Sequence, residues 1–410
     1  MTGQNKALGP WPLGVDNRKA DHALTQAQGN VVVDLLRSAT NVDITDEGRL
    51  RRRAGFALSL AGENVHSLWS DGGSVGFCAS GQRLLQLDEQ LVATEVRDDL
   101  IPGQPLSFCE AGGTYFYTGG GQLGMVRDGA RLDFTPAPRV VPALDIIAGA
   151  LPVGRYQLCF THLGPGGESA ATPIQEIELA EPGGISISTI PAAETLLVYM
   201  TGPDGEVLGR VGRVDGMLDI VAPPALGARC QTVNLAPMPA GSIVRFSNGR
   251  LLVAAGNLLV YSEPFGLGLT NPSKNYIPFP APITVVEPCG TGVFVAADKT
   301  YWIEGEITQA SLVVRLPYGG VAGSGTRDPL SPETALWISE RGLVVGTADG
   351  TATAVQEPRL LLAGGAAGAT LRREREGMQH VVTAVRDPMG VTGACSSYFE
   401  AEIIRKGSRK

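Results

Sequence analysis

Arg250-Leu251-Leu252-Val253-Ala254-Ala255-Gly256-Asn257-Leu258-Leu259-Val260-Tyr261 is a pair of apolar runs joined by a tight turn. Each run is too short for an ordinary helix and suits a buried strand. The Gly-Asn pair supplies the unusual backbone angles that a hairpin turn needs. The stretch therefore reads as a β-hairpin.

The same unit recurs along the chain. Ser74-Val75-Gly76-Phe77-Cys78-Ala79 turns at Ser80-Gly81-Gln82 into Arg83-Leu84-Leu85-Gln86-Leu87. Thr114-Tyr115-Phe116-Tyr117 turns at Gly119-Gly120-Gly121 into Gln122-Leu123-Gly124-Met125-Val126. Gly292-Val293-Phe294-Val295-Ala296 turns at Asp298-Lys299 into Thr300-Tyr301-Trp302-Ile303. Ala335-Leu336-Trp337-Ile338 turns at Glu340-Arg341-Gly342 into Leu343-Val344-Val345, and a weaker sixth unit is His380-Val381-Val382-Thr383-Ala384-Val385.

Anchoring the units on Val75, Tyr115, Leu251, Val293, Leu336 and Val381 gives spacings of 40, 136, 42, 43 and 45 residues. A period of about 40–45 residues with a hairpin inside it is the signature of a β-propeller, at about four strands per blade. The expected fold is all-β: a β-propeller of about six blades. The competing reading of the same strands is a large, irregular sandwich assembly.

The anomalous spacing of 136 locates a second element. One period removed from it leaves roughly 96 surplus residues, the size of one immunoglobulin-like β-sandwich. Within that surplus, Gly154-Arg155-Tyr156-Gln157-Leu158-Cys159-Phe160-Thr161 alternates with period two, and Gly202-Pro203-Asp204-Gly205 is a hairpin turn. The expected organisation is an N-terminal arm over 1–40, propeller over 41–140, an inserted sandwich over 141–236 and propeller again over 237–410. The arm is expected to reach a neighbouring molecule. Blade closure is expected from Asn41–Phe56 pairing with the C-terminal run Tyr398–Ile404.

Composition fits this reading. Hydrophobic residues are 43% and charged residues 18% of the 410, a balance that favours a packed core over disorder. Gly (54) and Pro (28) are spread throughout, as turn punctuation between short strands. The formal net charge of -8 argues against a dedicated nucleic-acid binder, although an acidic wall would let nucleic acid pass without sticking. No run approaches the length of a membrane span, and Met1-Thr2-Gly3-Gln4-Asn5-Lys6 lacks the apolar core of a secretory signal.

Chemistry-bearing motifs are absent. There is no P-loop, no GxSxG elbow and no HExxH. Cys78, Cys109, Cys159, Cys230, Cys289 and Cys395 form no CxxC pair, so they read as reduced, buried small hydrophobes. His22, His66, His162 and His380 are dispersed, and His66 reads as a structural histidine in a strand. Asp98-Asp99 reads as a solvated loop. Arg49-Leu50-Arg51-Arg52-Arg53, Arg372-Arg373-Glu374-Arg375-Glu376 and the tail Arg405–Lys410 read as solvated edges, or as contacts to an acidic neighbour. Leu361–Thr370 is a small-residue stretch, read as a loop or strand packed on a neighbour or as a mobile linker. No catalytic residue, cofactor site or metal site is assigned, and no enzymatic activity is expected.

Two resemblances add to this. The inserted segment resembles a fibronectin type III domain, on Tyr156, the Gly167-Glu168-Ser169 turn and Leu197-Val198-Tyr199 before Asp204-Gly205. Trp11-Pro12-Leu13-Gly14-Val15-Asp16-Asn17, followed by Asn41-Val42-Asp43 through Gly48 and Arg53 to Gly55-Phe56, resembles the opening of bacteriophage tail structural proteins. Phe246-Ser247-Asn248-Gly249-Arg250 to Tyr261-Ser262-Glu263-Pro264 is similar to that group, as is Tyr301-Trp302-Ile303-Glu304-Gly305 with the Gly319–Gly325 loop. The group includes the nozzle proteins of short-tailed phages and tail-tip or baseplate proteins of long-tailed phages. The resemblance implies a non-enzymatic virion component in the tail, assembled in the bacterial host. It implies a homo-oligomeric ring, six-fold or else three-fold, that contacts other tail proteins and retains or passes DNA. The rival functions are a receptor- or glycan-binding tail tip and a propeller hydrolase acting on host surface polysaccharide.

Overall fold

Short apolar runs ended by Gly, Asn and Asp form strands here because neighbouring runs satisfy one another's backbone groups across tight turns. The computed structural model describes residues 9–39, 41–45, 47–53, 55, 57–188, 195–309, 311–328, 331–362, 367–375, 378–386 and 397–402. The protein is all-β, with two short 3-10 turns among the described residues. It divides into two compact units, one of residues 64–279 and one of residues 1–63 with 280–410.

The unit 64–279 contains three blade sheets, each a four-stranded antiparallel meander. Blade 1 is Val65–Ser70, Gly76–Ser80, Arg83–Leu87 and Ala93–Arg97. Blade 2 is Ser107–Ala111, Thr114–Gly119, Gln122–Arg127 and Ala130–Leu132. Blade 3 is Ile243–Ser247, Arg250–Ala255, Leu258–Tyr261 and Tyr276–Pro278. The other unit contains three more. Blade 4 is Val285–Cys289, Gly292–Ala296, Thr300–Glu304 and Ser311–Leu316, and blade 5 is Thr326–Asp328, Ser331–Ser339, Gly342–Thr347 and Ala352–Ala354. Blade 6 has, among the described residues, the three strands Ala367–Arg375, Met378–Arg386 and Ser397–Glu402. The hairpins read from the sequence are the central strands of the first five blades, and the weaker sixth unit is the middle strand of blade 6.

What makes these sheets propeller blades is how they are buried. Each apolar core is shared by two consecutive sheets. Phe77, Ala79 and Leu84 of blade 1 pack with Phe108, Tyr117 and Val126 of blade 2. Phe116 and Met125 of blade 2 pack with Val244, Leu251 and Val253 of blade 3. Phe294 and Trp302 of blade 4 pack with Ala335, Trp337 and Val344 of blade 5, and Leu336 and Ile338 of blade 5 pack with Val381 of blade 6. The approach is close. A Cβ on Gly346 of blade 5 would lie 2.5 Å from the Phe294 ring of blade 4, so only a hydrogen fits there.

Between blades 2 and 3 the chain forms a two-sheet sandwich. One sheet is Ala143–Leu151, Gly183–Ser188 and Met217–Ile220 in the order first, second, third. The other runs Gln175–Leu179, Gly154–Gly164, Leu196–Met200, Gly209–Val214, with the short Gly167–Glu168 strand also on Gly154–Gly164. Alternation decides which residues go inside. Tyr156, Leu158 and Phe160 join Ile185, Ile187, Val198 and Val214 in one buried core.

One expectation needs revision. Asn41–Phe56 does not pair with the C-terminal strand among the described residues. Val42–Ile44 instead pairs with Leu50–Arg52, closed by Gly48 N donating to Thr45 O at 2.7 Å, while Ser397–Glu402 pairs with Met378–Arg386. A short local loop closes at less entropic cost than joining the two chain ends. Phe56, Ile403 and Ile404 lie outside the described residues.

Residues 13–18 of the N-terminal segment are held within their own unit, on residues 357–361. Asn17 Nδ2 donates to Leu361 O at 2.8 Å, and Leu361 N donates back to Asn17 Oδ1 at 2.9 Å. Asn17 N reaches Arg359 O at 3.0 Å, Arg359 Nη1 reaches Leu13 O at 3.1 Å, and Arg18 donates to Glu357 O. Buried Asp16 turns the chain by accepting from Arg18 N and Lys19 N.

Asn17→Ala is predicted to remove two of these bonds and cost about 1–2 kcal/mol. Urea unfolding should show the loss, and trypsin should cut faster after Arg18 and Lys19. Equal cutting rates in the variant and the parent protein would show that Asn17 does not hold this segment.

Candidate functional site

The histidines stand on separate elements. His22 lies in an exposed 3-10 turn. His162 Nδ1 lies 3.0 Å from Pro136 O, and His380 is in blade 6. His66 is on the first strand of blade 1, with Nδ1 2.8 Å from Ser67 Oγ. Ser67 has φ 55° at a bulge, and its oxygen accepts from Leu106 N at 2.8 Å. That bond fastens the start of blade 2 to blade 1, so the hydroxyl is a knot and not a poised nucleophile. Burial pushes the His66 imidazole pKa down from its usual value. Among the described residues, no group of three His, Cys, Asp or Glu side chains is placed to share a metal ion.

Asp98-Asp99 is more than a solvated loop. Asp99 accepts from Arg97 Nε and lies 3.4 Å from Arg131 Nη1, whose Nε bonds Asp133 at 2.9 Å. Arg97 is buried and also donates to the buried Tyr117 hydroxyl, with its guanidinium 5.8 Å from the ring centre. The hydrogen bond from Arg97 holds the Asp99 carboxyl below the ordinary carboxylate range. A buried guanidinium needs such a partner, which sequence proximity alone did not reveal.

In the basic cluster, Arg53 Nε bonds Asp43 at 3.1 Å and Arg49 meets Glu47 at 3.1 Å, while Arg51 and Arg52 are exposed. Part of this charge is therefore compensated within its own hairpin. Arg372 is on the first strand of blade 6, and the tail Arg405–Lys410 lies outside the described residues. Ala367–Thr370 of the small-residue stretch joins the same strand, and residues 363–366 lie outside the described ones.

The sandwich offers two features that the sequence did not. The first is an open edge. Ala143–Leu151 is nine residues long and, among the described residues, its ladder runs along one side only, to Gly183–Ser188, with an irregularity between Ile147 and Leu151 where Ala150 N donates to Val221 O at 2.6 Å. Six of its nine residues are exposed, including Ile146 at 60%. Across the same sheet, Met217 on the opposite edge strand is 67% exposed. An unpaired edge without lysine or proline is a template for another strand.

The second feature is a covered outer face. Residues 221–235 leave the sandwich and lie along Gly209–Val214, with Arg210 N donating to Ala228 O at 3.0 Å and Cys230 N to Leu208 O at 2.9 Å. Beneath them Cys159, Leu197, Tyr199, Leu208 and Cys230 form a small separate core. Glu168 accepts there from Thr161 Oγ1 at 2.7 Å and Tyr199 Oη at 2.8 Å. The alternation that put Leu158 inside puts Cys159 on this opposite face. A buried residue on an outer face signals a cover, and the sequence shows only that Cys159 takes the outward phase.

Comparisons with known proteins add little to this geometry. No protein-family profile matches the chain, and no curated protein matches it. Similar solved structures include the WD40 domain of Neurospora crassa Pan2, at 10% identity and TM-score 0.33, covering 78% of this chain and 86% of that one. BBS1N in complex with ARL6DN is similar at 11% identity and TM-score 0.33, covering 81% and 93%. Kluyvelomyces marxianus Hsv2 is similar at 9% identity and TM-score 0.27, covering 76% and 85%. Likeness of this degree carries no functional inference, and the assignment of blades rests on the sheets themselves. No helix among the described residues is long and apolar enough to cross a membrane.

Tyr115 gives a pH test of the blade 1–blade 2 contact. Its ring packs beside Trp69 and Phe77, and its hydroxyl donates to Asp71 at 3.1 Å. Burial, aided by Asp71, pushes its pKa up to about 12. A raised tyrosine pKa means this contribution is intact below about pH 10, the unfolded value, and is lost as pH climbs through 12. Tyr115→Phe should flatten the fall in urea midpoint across that window. An unchanged alkaline limb would show that Tyr115 does not titrate with folding.

Proposed function

We propose that the protein is a non-enzymatic structural component of a bacteriophage tail, working as a rigid propeller platform that joins subunits into a homo-oligomeric ring. Six-fold symmetry is the favoured arrangement and three-fold the alternative. The observation that carries this reading is the open Ala143–Leu151 edge on a sandwich inserted between two blades. A platform built for assembly needs a contact surface, and a free strand edge supplies directional backbone bonds without chemistry. A sheet with two outer strands also lends itself to head-to-tail contacts, which close into rings. The N-terminal and mid-chain resemblance to tail proteins supports the location, and the net charge of -8 suits a wall past which DNA moves.

The insert is proposed to be of the fibronectin type III kind. In support, its first two strands lie in different sheets, and the Tyr156 hydroxyl reaches back to Pro152 O at 2.8 Å. The third strand of the smaller sheet, Met217–Ile220, pairs beside Gly183–Ser188 and not beside Ala143–Leu151.

Gold-labelled antibody against this protein should decorate the tails of particles released from the host, viewed by electron microscopy. Unlabelled particles, with the protein free in the lysate, would overturn the tail reading in favour of a soluble binder or hydrolase. The edge has its own test. Ile146→Lys should reduce the oligomer seen by light scattering to monomer, with the melting temperature of the monomer unchanged. A variant that still assembles would place the ring contact elsewhere.

A further inference from the structure

Cys159 Sγ and Cys230 Sγ are 3.9 Å apart, and both residues are buried. No disulfide joins them; all described cysteines are free thiols. The other three stand in a different setting. Cys78 and Cys109 pack in strands of blades 1 and 2, and Cys289 donates to Glu333 O in the other unit. Burial raises the Cys78 and Cys289 thiol pKa, which keeps them unreactive. Cys230 differs, because the hydrogen bond from Cys159 and the nearby Thr232 stabilise its thiolate and lower its pKa. The Cys159 thiol is raised by the same hydrogen bond.

The two sulfurs also join parts of the chain that backbone bonds hold only thinly. Cys159 lies in the middle of the long Gly154–Gly164 strand. Cys230 lies on the connection that runs from the sandwich to Ala236–Pro237, ahead of blade 3. Four backbone bonds of this connection reach the rest of the sandwich near Cys230: Cys230 N to Leu208 O, Arg210 N to Ala228 O, Gly227 N to Arg210 O and Ala171 N to Thr232 O. A covalent bond at 159–230 would close a loop across the whole remainder of the sandwich.

We propose that Cys159 and Cys230 are a peroxide-sensitive thiol pair whose disulfide locks the 221–235 connection onto the sandwich. Hydrogen peroxide is the oxidant. The Cys230 thiolate attacks one peroxide oxygen, the O–O bond breaks, and hydroxide leaves to be protonated to water. Cys230 then carries a sulfenic acid. The Cys159 sulfur attacks that sulfur, an S–S bond forms, the S–O bond breaks, and hydroxide departs with the Cys159 proton as a second water. Two thiols lose two hydrogens, and one peroxide becomes two waters. The sulfurs close from 3.9 Å to the roughly 2.05 Å of a disulfide, a movement within reach of side-chain rotation and a small shift of the connection. Reagent reaches the pair when residues 221–235 lift from the sheet, so reaction tracks local opening.

The test uses the full-length, reduced protein treated with hydrogen peroxide alone. Peptide mapping after alkylation should show the Cys159 and Cys230 peptides joined, with Cys78, Cys109 and Cys289 still alkylated. The oxidised protein should melt roughly 5–10 °C higher, and dithiothreitol should reverse the shift. Cys159→Ser and Cys230→Ser should each abolish the shift. Over-oxidation of Cys230 to sulfinic acid without a cross-link would overturn the proposal, as would no reaction at either sulfur. A cross-link that leaves melting unchanged would overturn the locking role. The parent protein alone decides each outcome, even if a serine variant folds poorly.

Discussion

A four-stranded twisted sheet has two faces and can cover neither by itself. That constraint governs the chain. Within each compact unit a blade lays a face against the next, because each inter-blade cluster draws side chains from two consecutive sheets. Bulky residues on one blade are met by small ones on its neighbour. Phe294 faces Gly346, and Trp337 lies 3.0 Å from where a Cβ on Gly320 would sit. Glycine is used in such a stack where two sheets come too close for any side chain.

Several polar groups that enter this packing are paired. Arg97 is buried between blades 1 and 2 because Tyr117 and Asp99 receive its protons. Glu287 is wholly buried on the first strand of blade 4, with Arg327 of blade 5 at 3.9 Å. Ser67 and Ser107 do the same with hydroxyls, the latter by accepting from Val244 N at 3.1 Å. These contacts tie successive blades together, whereas the apolar clusters supply the larger share of burial.

Much of the fold was legible because its determinants are local. A hairpin needs two apolar runs and a permissive turn, and both lie within a dozen residues. The sandwich announced itself by disturbing the period. The chain ends were not legible. Asn17 meets Leu361 across 344 positions, through a short polar side chain that carries no periodic signal. The expected end-to-end pairing failed for a related reason: strand-like runs show that a strand forms, but not which edge it chooses. The thiol pair sits between. Cys159 and Cys230 are 71 residues apart, beyond any spacing motif, yet the outward phase of Cys159 on its strand was written in Tyr156-Gln157-Leu158-Cys159-Phe160. In a strand, the face a residue occupies is local information, and its partner is not.

The docking of residues 13–18 on residues 357–361 has a consequence for synthesis. Residues 64–279 form a compact unit of consecutive chain, so it is complete once that stretch has left the ribosome. The other unit draws on both sides of it. Its first segment emerges earliest, yet has no docking site until the chain has grown past Leu361. For most of translation that leading segment waits, while the middle of the protein folds behind it. Residues 13–18 are therefore made long before the residues 357–361 that receive them.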